Sequence, residues 1–303
     1  DGLSFATAFQ GFTTDLDGNP VPPPAPFKRK ERSFVPSVTR MFDLVSATAS
    51  VLTLPFARRD TPTILRPDSP LGAHGPDRTI VAIPEVSLSL VKSTKNAAGV
   101  SVNDVLLAAF SGAVKRYLDA VEATPSGPNR RIRALMPVAF PRKKQTGERR
   151  WSAGVANNWS FASIPLFVGE DLSRSQRLKK TNEATTKLKN SPAVPIQKIF
   201  QDVLYNMLPL SITRNVCADL MGGHSVCISN VPGPQMPLAV AGKEVVAVEV
   251  IYPNVIPQVS LFSYRGRICG NIVVDKDAVP RPELLAHMFT EEVRRMGMAY
   301  GVQ

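Results

Sequence analysis

After Ser101, the residues Leu106, Phe110, Ala113 and Tyr117 recur at steps of four, three and four, which sets them on one side of a helix reaching about Leu118. A side that apolar has to be covered, and the sequence offers a sheet to cover it. Segments 79–83, 132–138, 161–168, 226–229, 245–251, 259–262 and 268–274 are apolar or alternating runs of strand length, the first stopped by Pro84. Helical patterns lie between and after them. These are 86–97, closed by Gly99; 172–189, with a charged outer face; 196–208, with Ile196, Phe200, Val203 and Met207 directed inward; and a last helix opened by Pro282, in which Leu285, Phe289, Val293 and Met296 share a side. Strands and helices mixed in this way predict an α/β domain over residues 79–303.

Upstream the pattern is looser. Leu3, Phe5, Ala8, Phe9 and Phe12 recur at near-helical spacing and predict a short helix with an apolar face. A turn follows at Asp17-Gly18-Asn19. Five prolines between Pro20 and Pro26 read as an extended linker. Residues 38–54 read as a helix ended by Pro55, and 58–78 are rich in Pro, Gly and Asp. The expected organisation is therefore a unit at 1–60, a linker at 61–78 and the main domain at 79–303.

Lys and Arg outnumber Asp and Glu by 36 to 25, giving a formal charge of +11, which favours an anionic partner such as a coenzyme phosphate or a lipid surface. The basic residues gather at Arg130, Arg131 and Arg133 and again at Arg142, Lys143, Lys144, Arg149 and Arg150. They lack the interleaved aromatics of a single-strand binder, so a nucleic-acid partner is not expected. Cys217, Cys227 and Cys269 are an odd set without CxxC spacing, which argues against both a disulfide framework and a zinc site and fits a reducing compartment. The uncharged run 44–57 falls short of the roughly 20 residues that cross a bilayer. A core helix and a helix lying at a lipid interface both fit it.

Two strings carry the most specific local chemistry. Ser101 and Asp104 have capping-box spacing, in which the hydroxyl accepts from the third helical amide and the carboxylate reaches back. In Ser229-Asn-Val-Pro-Gly-Pro234, two prolines fix the backbone around a permissive glycine and make a rigid strand exit. His74, His224 and His287 show neither HH nor HxxxH spacing, and each reads as a surface or packing residue. There is no G-x-S-x-G elbow, P-loop or GxGxxG string, so a serine nucleophile, nucleotide hydrolysis and hydride transfer have no sequence support.

Together, 101–108 and 229–234 resemble motifs of the wax ester synthase/diacylglycerol acyltransferases, and Asp1-Gly2 followed by Leu3-Ser4-Phe5 resembles the end of that family's HHxxxDG motif. The resemblance implies a chloramphenicol-acetyltransferase-like fold of two α/β halves with a tunnel between them, the first half represented here only by residues 1–60. It implies a histidine pair upstream of residue 1, with Asp1 and Gly2 closing the catalytic motif. It also implies that Asn103 and Asp104 hold the site in shape, as against capping alone, and that Asn230, Pro232 and Gly233 form a rigid element near it.

Gly154-Val-Ala-Asn-Asn158, then Ser160 and Pro165-Leu166, resembles another family segment and brings in Asn158. Arg142 is a candidate ion-pair partner for Asp1. Leu3, Phe5 and Phe9 are expected to line the acyl or alcohol pocket, and Lys143 and Lys144 to receive the coenzyme A phosphates.

The implied reaction moves a long-chain acyl group from acyl-CoA to a fatty alcohol or diacylglycerol. No cofactor or metal is expected beyond acyl-CoA as co-substrate. The expected place is the cytoplasmic side, with peripheral contact to endoplasmic reticulum or a lipid droplet as an option. Two other readings stay open: a degenerate relative acting as a lipid-binding or scaffold protein, and a related acyltransferase using another acceptor or a carrier-protein donor.

Overall fold

The computed structural model describes residues 5, 8, 9, 11–21, 38–52, 58–67, 75, 77–122, 130–140, 158–169 and 171–302. Its helices are α1 (Val38–Leu52), α2 (Leu88–Ala98), α3 (Val102–Val121), α4 (Arg174–Asn190), α5 (Ala193–Met207), α6 (Leu210–Gly222) and α7 (Pro282–Ala299). Six strands, β1 (Arg78–Ser87), β2 (Ile132–Ala139), β3 (Trp159–Leu166), β4 (Val226–Pro232), β7 (Gln258–Tyr264) and β8 (Arg267–Asp275), form one mixed sheet; β5 (Ala239–Val240) and β6 (Lys243–Glu244) make a small hairpin. The order across the sheet is β1-β8-β7-β4-β2-β3. The inner pairs β2/β4 and β4/β7 are parallel, and the outer pairs are antiparallel.

Alternation along β7 shows how the sheet separates two apolar layers. Val259 and Leu261 face the main core, where α2, α3 and α7 pack, and Phe262 and Tyr264 belong to a second cluster with Val231, Leu238 and Val248. The expected face of α3 is there in full: Leu106, Phe110, Ala113 and Tyr117 are all buried. So are Leu285, Phe289, Val293 and Met296 of α7. Tyr117, fully buried, satisfies its hydroxyl by donating to the Pro280 carbonyl at 2.5 Å.

A buried carboxylate ties three of the helices together. Glu292 of α7 accepts from Arg174 Nε and Nη2 at 3.0 and 2.9 Å and from Arg116 Nη1 at 3.1 Å. The forked geometry from Arg174 is the strong form of such a bond. Gly112 makes room for it, because a Cβ there would stand 3.0 Å from Glu292 Oε2.

Four expectations need correction. β1 does not stop at Pro84 but runs on to Ser87, its ladder shifting register between Ile83 and Val86. An edge strand tolerates a residue that cannot donate, and the freed Pro84 carbonyl accepts from Thr290 Oγ1 at 2.9 Å. The segment 245–251 alternates as a strand would but joins no ladder. Its carbonyls are held by side chains instead, Val245 by Tyr264 Oη at 2.9 Å and Val250 by Asn271 Nδ2 at 3.2 Å. In α5, Phe200, Val203 and Met207 are exposed rather than inward. After it comes α6, a helix the sequence reading did not include, whose apolar residues Leu210 and Ile212 also face outward.

Residues 58–67, placed by sequence around a boundary, are fastened to the sheet. Asp60 is buried and accepts from Arg133 Nε at 2.6 Å, from Arg133 N at 2.7 Å and from Ser225 Oγ at 2.7 Å. Arg66 donates to the carbonyls of Gly222 at 2.7 Å and Asp60 at 3.0 Å. Charges this deep hold a unique arrangement only when every oxygen is paired in this way.

Candidate functional site at the start of α3 and the exit of β4

Ser101 caps α3 as its spacing predicts. Its Oγ accepts from Asp104 N at 3.3 Å, and Asp104 Oδ2 accepts from Ser101 N at 2.9 Å and from Ser101 Oγ at 2.6 Å. The capping box leaves one carboxylate oxygen over. Asp104 is 1% exposed, and its Oδ1 accepts from Thr185 Oγ1 of α4 at 2.6 Å, with Lys189 Nζ at 4.0 Å. The cap is thus also an inter-helix tie, and Asn103 beside it is held in place from two sides.

Asn103 points the other way. Its Oδ1 accepts from Asn230 Nδ2 at 2.6 Å, joining the first turn of α3 to the last residues of β4. Beneath this amide pair a narrow pocket runs between α3 and the sheet, walled by Leu106, Phe110, Met136, Ile228, Leu261 and Phe289. The two asparagines are its polar rim, and everything deeper is carbon.

One residue further, β4 turns to its other layer. Pro232, exposed, is the last residue of the strand and pairs with Ser263. Gly233 follows and donates its N–H to Ser263 Oγ at 3.1 Å. A Cβ at 233 would lie 2.3 Å from Phe262 Cε1 and 2.4 Å from the Ser263 carbonyl oxygen, so only glycine lets the chain leave the strand against that ring. The same ring receives the N-terminal segment. Phe5 and Phe9 stack on each other at 6.0 Å and 12°, and each meets Phe262 edge to face, at 5.9 and 6.4 Å.

The structure therefore gathers the sequence-expected groups in two places: Asn103-Asp104 meets Asn230 on the α3 side of the sheet, and Pro232-Gly233 meets Phe5 and Phe9 around Phe262 on its other face. Asn158 stands at the start of β3, where its carbonyl accepts from Phe140 N at 2.9 Å. Asp1, Gly2, Leu3, Arg142, Lys143 and Lys144 lie outside the described residues, as does any Asp1–Arg142 pair. Sequence reasoning did not single out Phe262, the shared platform, or Thr185, which completes Asp104. Phe262 sits inside an apolar strand and Thr185 inside a polar helix, and neither carries a local signal.

The remaining titratable groups do not make a second centre. His224 is buried; its Nδ1 donates to the Leu220 carbonyl at 2.7 Å, which leaves Nε2 to accept from Ser163 Oγ at 2.8 Å. Burial, and then the nearby Arg133 guanidinium, push this imidazole down to about 4, so it is a weak base at neutral pH and serves as a packed connector. Burial pushes the Cys227 thiol up to about 12, an unreactive state. His287 is exposed on α7. Among the described residues no three His, Cys, Asp or Glu side chains are placed to hold a metal ion.

Residues 155–297 match the family model described as the WS/DGAT C-terminal domain. Over those residues the chain is similar to the C-terminal domain of the wax ester synthase/diacylglycerol acyltransferases. Curated relatives agree. A probable diacylglycerol O-acyltransferase of Mycobacterium tuberculosis, Tgs4, is 30% identical over 217 residues, which is 68% of this chain and 43% of the relative. Another from that organism, tgs2, is 29% identical over 154 residues, covering 50% and 32%. The chain thus spans less than half the length of these curated relatives.

Among solved structures, the wax ester synthase/diacylglycerol acyltransferase from Marinobacter aquaeolei VT8 superimposes with a TM-score of 0.57 at 16% identity, over 90% of this chain and 61% of that one. A trichothecene 15-O-acetyltransferase from Fusarium sporotrichioides gives 0.50 at 13%, over 91% and 55%. These likenesses show the fold, the mixed α/β architecture of the chloramphenicol-acetyltransferase-like acyltransferases. Of the strings that resemble the family's motifs, 101–108 opens α3, 229–234 forms the exit of β4, and Asn158, Ser160 and Pro165-Leu166 lie at the start of β3 or within it.

Proposed function

We propose that this chain acts as part of an acyl-CoA-dependent O-acyltransferase that forms wax esters or triacylglycerol. The observation that carries the proposal is the meeting at Phe262. Phe5 and Phe9 and the turn at Pro232-Gly233 rest on one ring, whose residue pairs with Val231, next along β4 from Asn230; on the opposite face of the sheet Asn230 and Asn103 rim an apolar pocket. In this reading a histidine preceding Asp1 takes the proton of a fatty alcohol or diacylglycerol hydroxyl. The alkoxide oxygen forms the new ester bond at the acyl carbon, the C–S bond breaks, and the proton ends on the coenzyme A thiol. General-base help of this kind contributes about 10² to 10⁴ in rate.

The chain's own residues supply shape rather than proton transfer. Asp104 fixes the first turn of α3, Asn103 and Asn230 present amides at the pocket rim, and Phe5 and Phe9 offer an apolar wall. Acyl-CoA enters as co-substrate with no further cofactor, its phosphates meeting Lys143 and Lys144. Contact with a lipid surface on the cytoplasmic side is part of the proposal; the exposed Phe42 and Val45 of α1 and Ile199 and Met207 of α5 support it. No single helix among the described residues is long and apolar enough to span a membrane.

The test is product analysis with the protein that includes the residues before Asp1. It is incubated with hexadecanoyl-CoA and hexadecanol, a diacylglycerol or a long-chain amine. Ester with either alcohol supports the reading, amide product points to another acceptor class, and release of no coenzyme A favours a lipid-binding role.

A further inference from the structure

Resting on that reading, we propose that the pocket between α3 and the sheet receives the methyl end of a substrate hydrocarbon chain and that Phe110 and Phe289 form the stop that sets its length. The two rings meet edge to face at 5.8 Å, are 2% and 0% exposed, and both line the pocket that Asn103 and Asn230 also line. Nothing charged lines the pocket, and the rim amides share one hydrogen bond, from Asn230 Nδ2 to Asn103 Oδ1 at 2.6 Å.

The space as it stands holds about one water-sized group. A water there would face carbon on every side but the rim, whereas a bound water needs about two to four polar partners. A terminal methyl needs none and gains from the burial. The pocket therefore takes the tip of a chain whose remaining length lies outside it, which is how a small cavity discriminates chain length.

Position in the fold makes the stop independent of the cap. Phe110 lies two helical turns beyond Asn103 on α3, and Phe289 comes from α7, so changing the pair alters depth without touching the rim hydrogen bond. Met136 of β2 stands partly buried on the side wall and offers a change of opposite sign.

The experiment compares the full protein with Phe289→Leu and Phe110→Leu, which deepen the pocket, and Met136→Phe, which narrows it. One series varies acyl-CoA length at fixed alcohol and another varies alcohol length at fixed acyl-CoA, so that the two sources of the chain are told apart. In one series the deepened variants are expected to raise the kcat/KM ratio of the chain two carbons longer over the preferred one by on the order of tenfold. Met136→Phe is expected to shift that series the other way. An unchanged length profile in both series, in variants that still release coenzyme A, overturns the proposal.

Binding of a fluorescent polyene fatty acid, followed by its emission, gives a readout without turnover. Binding weakened by Met136→Phe supports the pocket, and binding that ignores it overturns the pocket. A wild-type protein that binds the probe but transfers no acyl group sinks the acyltransferase reading and leaves the pocket standing. Thermal unfolding checks that each leucine variant is folded, and Met136→Phe, at a partly buried position, keeps the test open if they are not.

Discussion

The start of α3 and the start of α4 are built from the same local device. Ser101 with Asp104 and Ser173 with Gln176 are both complete capping boxes. At α4 the box ends there: Ser173 and Gln176 are exposed, and the bonds stay within one turn. At α3 the third residue is a buried carboxylate that spends its second oxygen on Thr185, 81 positions away. Its neighbour Asn103 reaches Asn230, 127 positions away. The local motif thus tells where a helix begins, and only the long-range bonds distinguish a cap that fixes a site from one that merely ends a helix.

The largest expected effect separates the two boxes directly. Asp104→Ala removes an acceptor shared by Ser101 N, Ser101 Oγ and Thr185 Oγ1 and leaves buried donors behind, so about 2–4 kcal/mol of stability should be lost. Gln176→Ala breaks one exposed bond of its cap and should cost about 0.5 kcal/mol or less. Urea midpoints of the two variants check this, and equal losses would dissolve the distinction.

A pH scan adds a third polar anchor, at the other end of β4. The His224 imidazole is held down to about 4 by burial and Arg133, against about 6.5 in an unfolded chain. Between those values the unfolded state binds the extra proton. Stability from this group is therefore complete above about pH 6.5 and falls as pH drops toward 4, by up to about 1.4 kcal/mol per pH unit. His224→Gln should flatten that slope. The capping comparison is therefore sharpest at pH 7.5 or above, where His224 is neutral in both states.

Much of the fold could be read before the structure because its signals are local. The stepped apolar face of α3, the Ser-x-x-Asp cap and Pro282 at the head of α7 are set by neighbours within a few residues. The misreadings have the opposite cause. Val203 and Met207 repeat at helical spacing but face outward, because periodicity fixes which residues share a side and not which side is covered. Val245 to Ile251 alternate like a strand, yet Tyr264 and Asn271 side chains satisfy that backbone in place of a ladder. For the candidate site the limit was sharper. Asn103, Asn230, Gly233 and Phe9 were visible as residues, but Phe262, which gathers two of their segments, is an ordinary core phenylalanine in sequence.

Thr185→Val tests the tie by itself. Valine keeps the shape and removes the donor at 2.6 Å from Asp104 Oδ1, so about 1–2 kcal/mol should be lost. Combined with Asp104→Ala, the two losses should fall short of additive, since both delete one interaction. Full additivity would mean that the bond contributes nothing beyond the cap.

Asn103→Ala should be the quietest change in stability and the most informative about the site. The side chain is exposed, alanine is the better helix former, and one surface amide bond is given up, so the midpoint should move by less than about 0.5 kcal/mol. If Asn103 orients the pocket rim for a reacting substrate, the same variant should lower kcat on the order of tenfold while KM for acyl-CoA stays nearly unchanged. Asn230→Ala should reproduce that split, because each amide is the other's support. A variant pair that leaves kcat intact would return the Asn103–Asn230 bond to the status of the exposed box at α4, a contact that shapes a helix end and nothing more.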